Sequence, residues 1–188
     1  MTDKPVLYVV VCGARPAGDA GQVVRRAQEA GFDVCVIPTP MALRFIGDTA
    51  PLERLTGYPV RSEYKRPEEP DVLPLADAFL VAPLTFNSLN KWAAGISDTL
   101  AMGLLNEALG IGVPIVAVPW VNALLAAHPA AAASIDRLSA AGVTFTSGFG
   151  HPSSRVPSAD GSLGGAIYPQ DEVESAIESL YEFAGQRD

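Results

Sequence analysis

Six consecutive apolar residues, Val6-Leu7-Tyr8-Val9-Val10-Val11, most narrow what this chain can become. A strand with one wet face alternates apolar and polar side chains; an unbroken β-branched run is buried on both faces. Such a strand belongs inside a parallel sheet covered by helices on either side. The same signature returns at Phe32 to Ile37, Ala78 to Ala82, Val113 to Pro119 and Val143 to Thr146. Between the runs lie helical stripes. Val23, Val24, Ala27 and Ala30 precede Gly31, and Leu89, Trp92, Ala93, Ile96 and Leu100 are expected to continue through Met102, Leu105 and Leu109. Met41 to Ile46 reads as a short helix, Pro51 to Thr56 as a helical turn stopped by Gly57, and Gln170 to Ala184 as a closing helix. In that closing helix Val173, Ile177, Leu180, Tyr181 and Phe183 are expected largely on one side. Alternating strands and helices of this kind predict a doubly wound, Rossmann-like α/β three-layer sandwich, one domain over residues 1–188.

Composition sets limits on partners. With 48% hydrophobic and 18% charged residues the chain is globular, and a net charge of −8 without a basic cluster argues against nucleic acid. Cys12 and Cys35 sit in or beside apolar runs without a C-x-x-C spacing, so both read as buried thiols. His128 and His151 are too few for a zinc cluster, and His128, ahead of Pro129 in an alanine-rich stretch, reads as structural. No signal-peptide pattern and no spanning apolar run are seen, so a cytoplasmic protein without a membrane partner is expected.

In doubly wound folds, ligands sit beyond the carboxyl ends of the strands. Those ends carry Gly13-Ala14-Arg15, Thr39-Pro40-Met41, Thr85-Phe86-Asn87-Ser88 and Trp120-Val121-Asn122. Glycine lets a ligand approach backbone, while hydroxyls and amides supply hydrogen bonds. The third loop enters a helix, where free N–H groups and the dipole favour an anion; Thr85 and Ser88 can equally cap that helix. Gly13, Gly18 and Gly21 do not form G-x-G-x-x-G, and no acidic residue ends the second strand, so a mononucleotide fits better than a dinucleotide. The proline-bearing stretch from Arg61 to Val72 is expected to be a surface loop or lid, and 147–165 a flexible flap.

From about Val6 to Leu180 the chain resembles the homo-oligomeric flavin-containing cysteine decarboxylases. Ala82-Pro83-Leu84-Thr85-Phe86-Asn87-Ser88 is similar to that family's P-x-S-x-N-T motif, with Lys91, Gly95-Ile96 and Asp98 at the family spacing. Thr56-Gly57-Tyr58-Pro59-Val60 and Ala76-Asp77-Ala78 also look familial. The resemblance implies an FMN site built from Gly13, Ala14, Arg15, Thr39, Met41, Thr85, Phe86, Asn87, Ser88 and Trp120. Pro119-Trp120-Val121-Asn122 keeps the Pro and Asn of the family's P-A-M-N segment, which makes Asn122 the expected substrate-carboxylate residue. It further implies oxidative decarboxylation of a cysteine carboxyl terminus, on a peptide or small conjugate, by a homotrimer or an assembly of trimers such as a dodecamer. Two family groups are missing. No His stands ahead of Ala76-Asp77-Ala78, where Glu69 is the nearest candidate base, and the flap carries no Cys, leaving His151 and Arg155 as its candidates. Other FMN chemistry on the same fold, such as prenyl transfer or reduction, and a non-catalytic FMN-binding subunit are the alternatives.

Overall fold

The computed structural model describes residues 4–66, 68–146 and 170–184. Its centre is a five-stranded, all-parallel sheet: β1 (Val6–Val11), β2 (Asp33–Pro38), β3 (Ala78–Leu84), β4 (Ile115–Pro119) and β5 (Val143–Phe145), in the order β2-β1-β3-β4-β5. The helices are α1 (Ala20–Glu29), α2 (Leu43–Ile46), α3 (Ala50–Thr56), α4 (Phe86–Ala93), α5 (Leu100–Ile111), α6 (Ala123–Ala126), α7 (Pro129–Ala140) and α8 (Gln170–Ala184), with a 3₁₀ turn at Arg15–Asp19. The α/β sandwich expected from the runs is the one formed.

The unbroken apolar strands are explained by two cores, one per face. Leu7, Val9 and Val11 point into a cluster with Val23, Val24 and Ala27 of α1, Leu52 of α3, and Val173, Ile177 and Leu180 of α8. Tyr8 and Val10 point the other way, into Leu89 and Trp92 of α4, Leu105 of α5 and Leu138 of α7. Burying a Val, Leu or Ile side chain contributes about 1.5–3 kcal/mol, so no position on β1 can turn polar cheaply on either side. Cys12 and Cys35 are buried free thiols in the second cluster. Burial pushes the Cys35 thiol up to about 12 and raises the Cys12 thiol as well.

Two expectations are corrected, and the alanine-rich stretch around His128 is resolved. The helix projected from Leu89 to Leu109 is two helices: Gly95, at φ 72°, reverses the chain after α4, and Thr99 restarts it by accepting a hydrogen bond from the Met102 N–H at 3.3 Å. The apolar stripe continued through that break, which hid it. The alanine-rich segment also divides, because His128 caps α7 by accepting from the Ala130 N–H at 3.1 Å and Pro129 takes the first helical position. On α8, Tyr181 and Phe183 are exposed, unlike Val173, Ile177 and Leu180; Tyr181 only sets its ring against the edge of Phe32, 5.2 Å away.

Candidate functional site

Backbone bonds gather the carboxyl ends of the strands. The Thr39 N–H donates to the Val11 carbonyl at 2.8 Å, the Cys12 N–H to Pro83 at 3.1 Å, and the Trp120 N–H to Leu84 at 2.7 Å. The loops leaving β1, β2, β3 and β4 therefore start level with one another. β1 and β3 also flank the point where the chain, having gone out to β2, crosses back over the sheet. That is where a crevice opens in this topology.

A cavity of about 740 Å³ occupies this crevice, within the range of small-molecule sites. Gly13, Ala14, Thr39, Met41, Thr85, Phe86, Asn87, Ser88, Trp120 and Asn122 all line it, so four separately expected loops meet in one place. Arg15 does not line it; it opens the 3₁₀ turn and its side chain is exposed. Glu69 is also outside, on an exposed turn where its carboxylate accepts from the Arg66 N–H at 3.1 Å. His151, Arg155 and the flap at 147–165 lie outside the described residues. Reading the sequence missed Thr99, Met102 and Leu125 and noted Lys91 and Asp98 only for their spacing, while Pro40 and Val121 belong to the strand-end loops it named. Thr99 carried a signal, a hydroxyl residue directly ahead of an apolar run.

Each lining group is held by its own local geometry. Gly13 sits so close to Met41 that an added Cβ would fall 2.4 Å from Met41 Cγ and 3.0 Å from its carbonyl carbon. Only glycine lets the first and second loops meet. Thr85 is the N-cap of α4: its Oγ1 accepts from the Ser88 N–H at 3.4 Å and donates to the Ser88 hydroxyl at 3.1 Å. The capping reading is thus realised, and it leaves the N–H groups of Phe86 and Asn87 as the first two of the helix, with no intrahelical partner. From behind, α7 pins α4. Ser134 donates to Asn90 Oδ1 at 2.7 Å, and Arg137 donates to the Ala93 carbonyl at 3.1 Å. Asn122 caps α6, its Oδ1 accepting from the Leu125 N–H at 2.8 Å, which leaves its side-chain NH₂ as a pair of donors. Thr39 is buried, and its Oγ1 accepts from the Ala42 N–H at 3.3 Å.

The cavity lining therefore combines hydrogen-bond donors with the apolar side chains of Met41, Phe86, Met102, Trp120 and Leu125. Such a lining suits a flat, partly aromatic ligand with a polar tail. No histidine or cysteine occurs among the described lining residues.

Known proteins share this fold. The Flavoprotein family model matches residues 1–181. The bifunctional coenzyme A biosynthesis protein CoaBC of Mycolicibacterium smegmatis is 30% identical over 188 residues, covering 98% of this chain and 44% of that protein. Mouse phosphopantothenoylcysteine decarboxylase is 31% identical over 117 residues, 60% of this chain and 57% of that one. The chain thus spans less than half the length of that CoaBC. Among solved structures, a PPC decarboxylase mutant complexed with pantothenoylaminoethenethiol superposes with a TM-score of 0.73 at 22% identity, over 95% of this chain and 99% of the other. The FMN-dependent cysteine decarboxylase TvaF from thioviridamide biosynthesis gives 0.73 at 19% identity, over 97% and 99%. The family match across nearly the whole length carries one conclusion: the chain belongs to the Flavoprotein family.

Proposed function

We propose that this chain binds FMN in the crevice and acts as an oxidative decarboxylase on a cysteine carboxyl terminus, of a peptide or a small conjugate. The observation that carries the reading is the convergence of Thr39, Thr85, Asn87, Ser88, Trp120 and Asn122 on one cavity at the sheet's carboxyl edge. The residues present fit the cofactor. Hydroxyls, the amides of Asn87 and Asn122 and two helix N–H groups without an intrahelical partner suit a phosphate and a polar ring edge, and Met41, Phe86 and Trp120 suit the ring faces. When bound, the flavin supplies the two-electron acceptor that oxidation of the cysteine side chain to a thioaldehyde requires before carbon dioxide can leave.

The chain's own contributions are positional. Asn122 offers its two amide hydrogens to the substrate carboxylate, and its orientation is fixed because Oδ1 is already committed to α6. Trp120 and Met102 give the cavity apolar walls; a carboxylate that loses solvation against them is closer to losing carbon dioxide. Thr85 and Ser88 hold the loop against α4 so that the donors do not have to reorganise. Glu69 has no support as a base from its position. A homotrimer also fits: Met41, Phe45, Leu124 and Leu125 leave large apolar side chains exposed, two of them on the cavity lining, and a neighbouring copy would cover them.

One observation favours a second reading, a flavin-binding subunit without turnover. The described lining residues offer no histidine or cysteine, and the two charged ones pair with each other. Incubating the FMN-loaded protein with a peptide ending in cysteine separates the two. A product lighter by carbon dioxide and two hydrogens is expected. A peptide of unchanged mass, with FMN bound, would leave the non-catalytic reading.

A further inference from the structure

Lys91 and Asp98 are the charged side chains among the described cavity-lining residues, and they form an ion pair of 2.5 Å. They come from different places. Lys91 lies on the last turn of α4 and Asp98 in the turn ahead of α5; the reversal at Gly95 brings them together. Both side chains are partly exposed, 33% and 46%, so neither is locked by packing.

The turn does not depend on the pair for its shape. The Ile96 N–H donates to the Lys91 carbonyl at 2.9 Å, and Asn106 Nδ2 donates to Ser97 Oγ at 2.9 Å. The Tyr64 hydroxyl donates to the Ser97 carbonyl at 3.4 Å. An ion pair that is not needed as a clasp can exchange partners.

Its surroundings favour exchange with an anion. The N-caps of α4 and α5, Thr85 and Thr99, both line the cavity, so two helix amino ends open on it. Asp98 is the single carboxylate among the described lining residues. With Asp98 in place, the Lys91 ammonium is neutralised; once an anionic group takes it over, the ammonium adds a charge-assisted donor.

Resting on the FMN reading above, we propose that Asp98 and Lys91 determine specificity. Asp98 holds the Lys91 ammonium in reserve, and the phosphate of a bound ligand displaces Asp98 as its partner. The exchange makes the cavity choose phosphorylated over unphosphorylated forms of one ligand. No bond is made or broken in it.

A clasp and an exchange differ in one readout, the ratio of FMN affinity to riboflavin affinity. Dissociation constants for both flavins are measured by fluorescence quenching at low ionic strength, with circular dichroism confirming the fold. The proteins are wild type, Asp98→Asn, Lys91→Gln, and Lys91→Arg as the variant that keeps the cation. Lys91→Gln is expected to weaken FMN about tenfold, the scale of one charge-assisted hydrogen bond, and to leave riboflavin unchanged. Asp98→Asn is expected to raise the FMN-to-riboflavin ratio severalfold, and Lys91→Arg to keep most of it. Equal shifts for both flavins, or a lower ratio in Asp98→Asn, would overturn the proposal. If the wild type takes neither flavin, the FMN reading falls, and pyrophosphate-induced shifts in melting temperature on the same proteins judge the pair instead. A larger shift in Asp98→Asn and none in Lys91→Gln sustains it; identical shifts overturn it.

Discussion

The stretch that leaves β3 at Pro83 and enters α4 at Phe86 and the connection from Gly57 to Asp77 make a useful pair, because both combine proline with polar residues. The first is held at every step. Thr85 caps α4, α7 pins α4 through Asn90 and Ala93, and the Leu84 carbonyl ties the loop to β4. The second is held more sparsely, with the Tyr64 hydroxyl donating to the Ser97 carbonyl at 3.4 Å along its course. Tyr58 donates to Asp33 at 3.3 Å, the Tyr8 hydroxyl donates to the Pro74 carbonyl at 2.7 Å, and Asp77 accepts from the Val6 N–H at 2.8 Å. Between them, described residues from Arg66 to Val72 are exposed. Ligand chemistry needs donors that stay where they are, so the difference in anchoring, not in composition, separates a site loop from a connecting one.

If that contrast is right, changes in the strand-end loops cost far more than changes in the connection. Gly13→Ala should have the largest effect, because its methyl group would overlap Met41 side chain and backbone. A loss of about 1–3 kcal/mol in denaturant unfolding is expected, with weakened flavin binding. An unchanged midpoint would mean that the first two loops are looser than described. Thr85→Ala removes the α4 cap and should cost about 1 kcal/mol, most of it recovered in Thr85→Ser. Trp92→Phe is a subtler probe of α4. Its indole N–H is buried with no partner among the described residues, so losing that donor offsets much of the lost ring area. A change within about 1 kcal/mol is expected there. Smallest of all, Glu69→Gln should stay within about 0.5 kcal/mol and leave FMN affinity alone; a clear loss would show that the connection reaches the site.

Thiol reactivity sharpens the same contrast without a mutation. Burial raises the Cys12 thiol, which lies against Ser88 beneath the third loop. It should react with a thiol reagent at neutral pH only as slowly as the protein unfolds. Rapid labelling would mean that the loop opens by itself.

What could be seen in the chain beforehand follows the same division. Strands buried on both faces announce themselves, as Val6 to Val11 does, because both neighbouring cores demand apolar side chains. Loops at strand ends are legible too, since topology alone places them together. The break between α4 and α5 was not legible, because Trp92, Ile96 and Leu100 keep a helical stripe across a turn that only Gly95 and Thr99 betray. Arg15 and Glu69 show another limit. The family resemblance put them at the site, but where a side chain goes depends on what packs beside it. Met102 and Leu125 line the cavity for the same reason: they are ordinary apolar residues placed there by the tertiary fold.

Titrating FMN into the purified protein, followed by flavin absorbance and fluorescence, tests the central claim most directly. Saturable binding of one FMN per chain, weakened in Asn87→Asp, is the result expected if the crevice holds the cofactor. A protein that leaves the flavin spectrum unperturbed, or an Asn87→Asp variant that binds as well as the wild type, would contradict it.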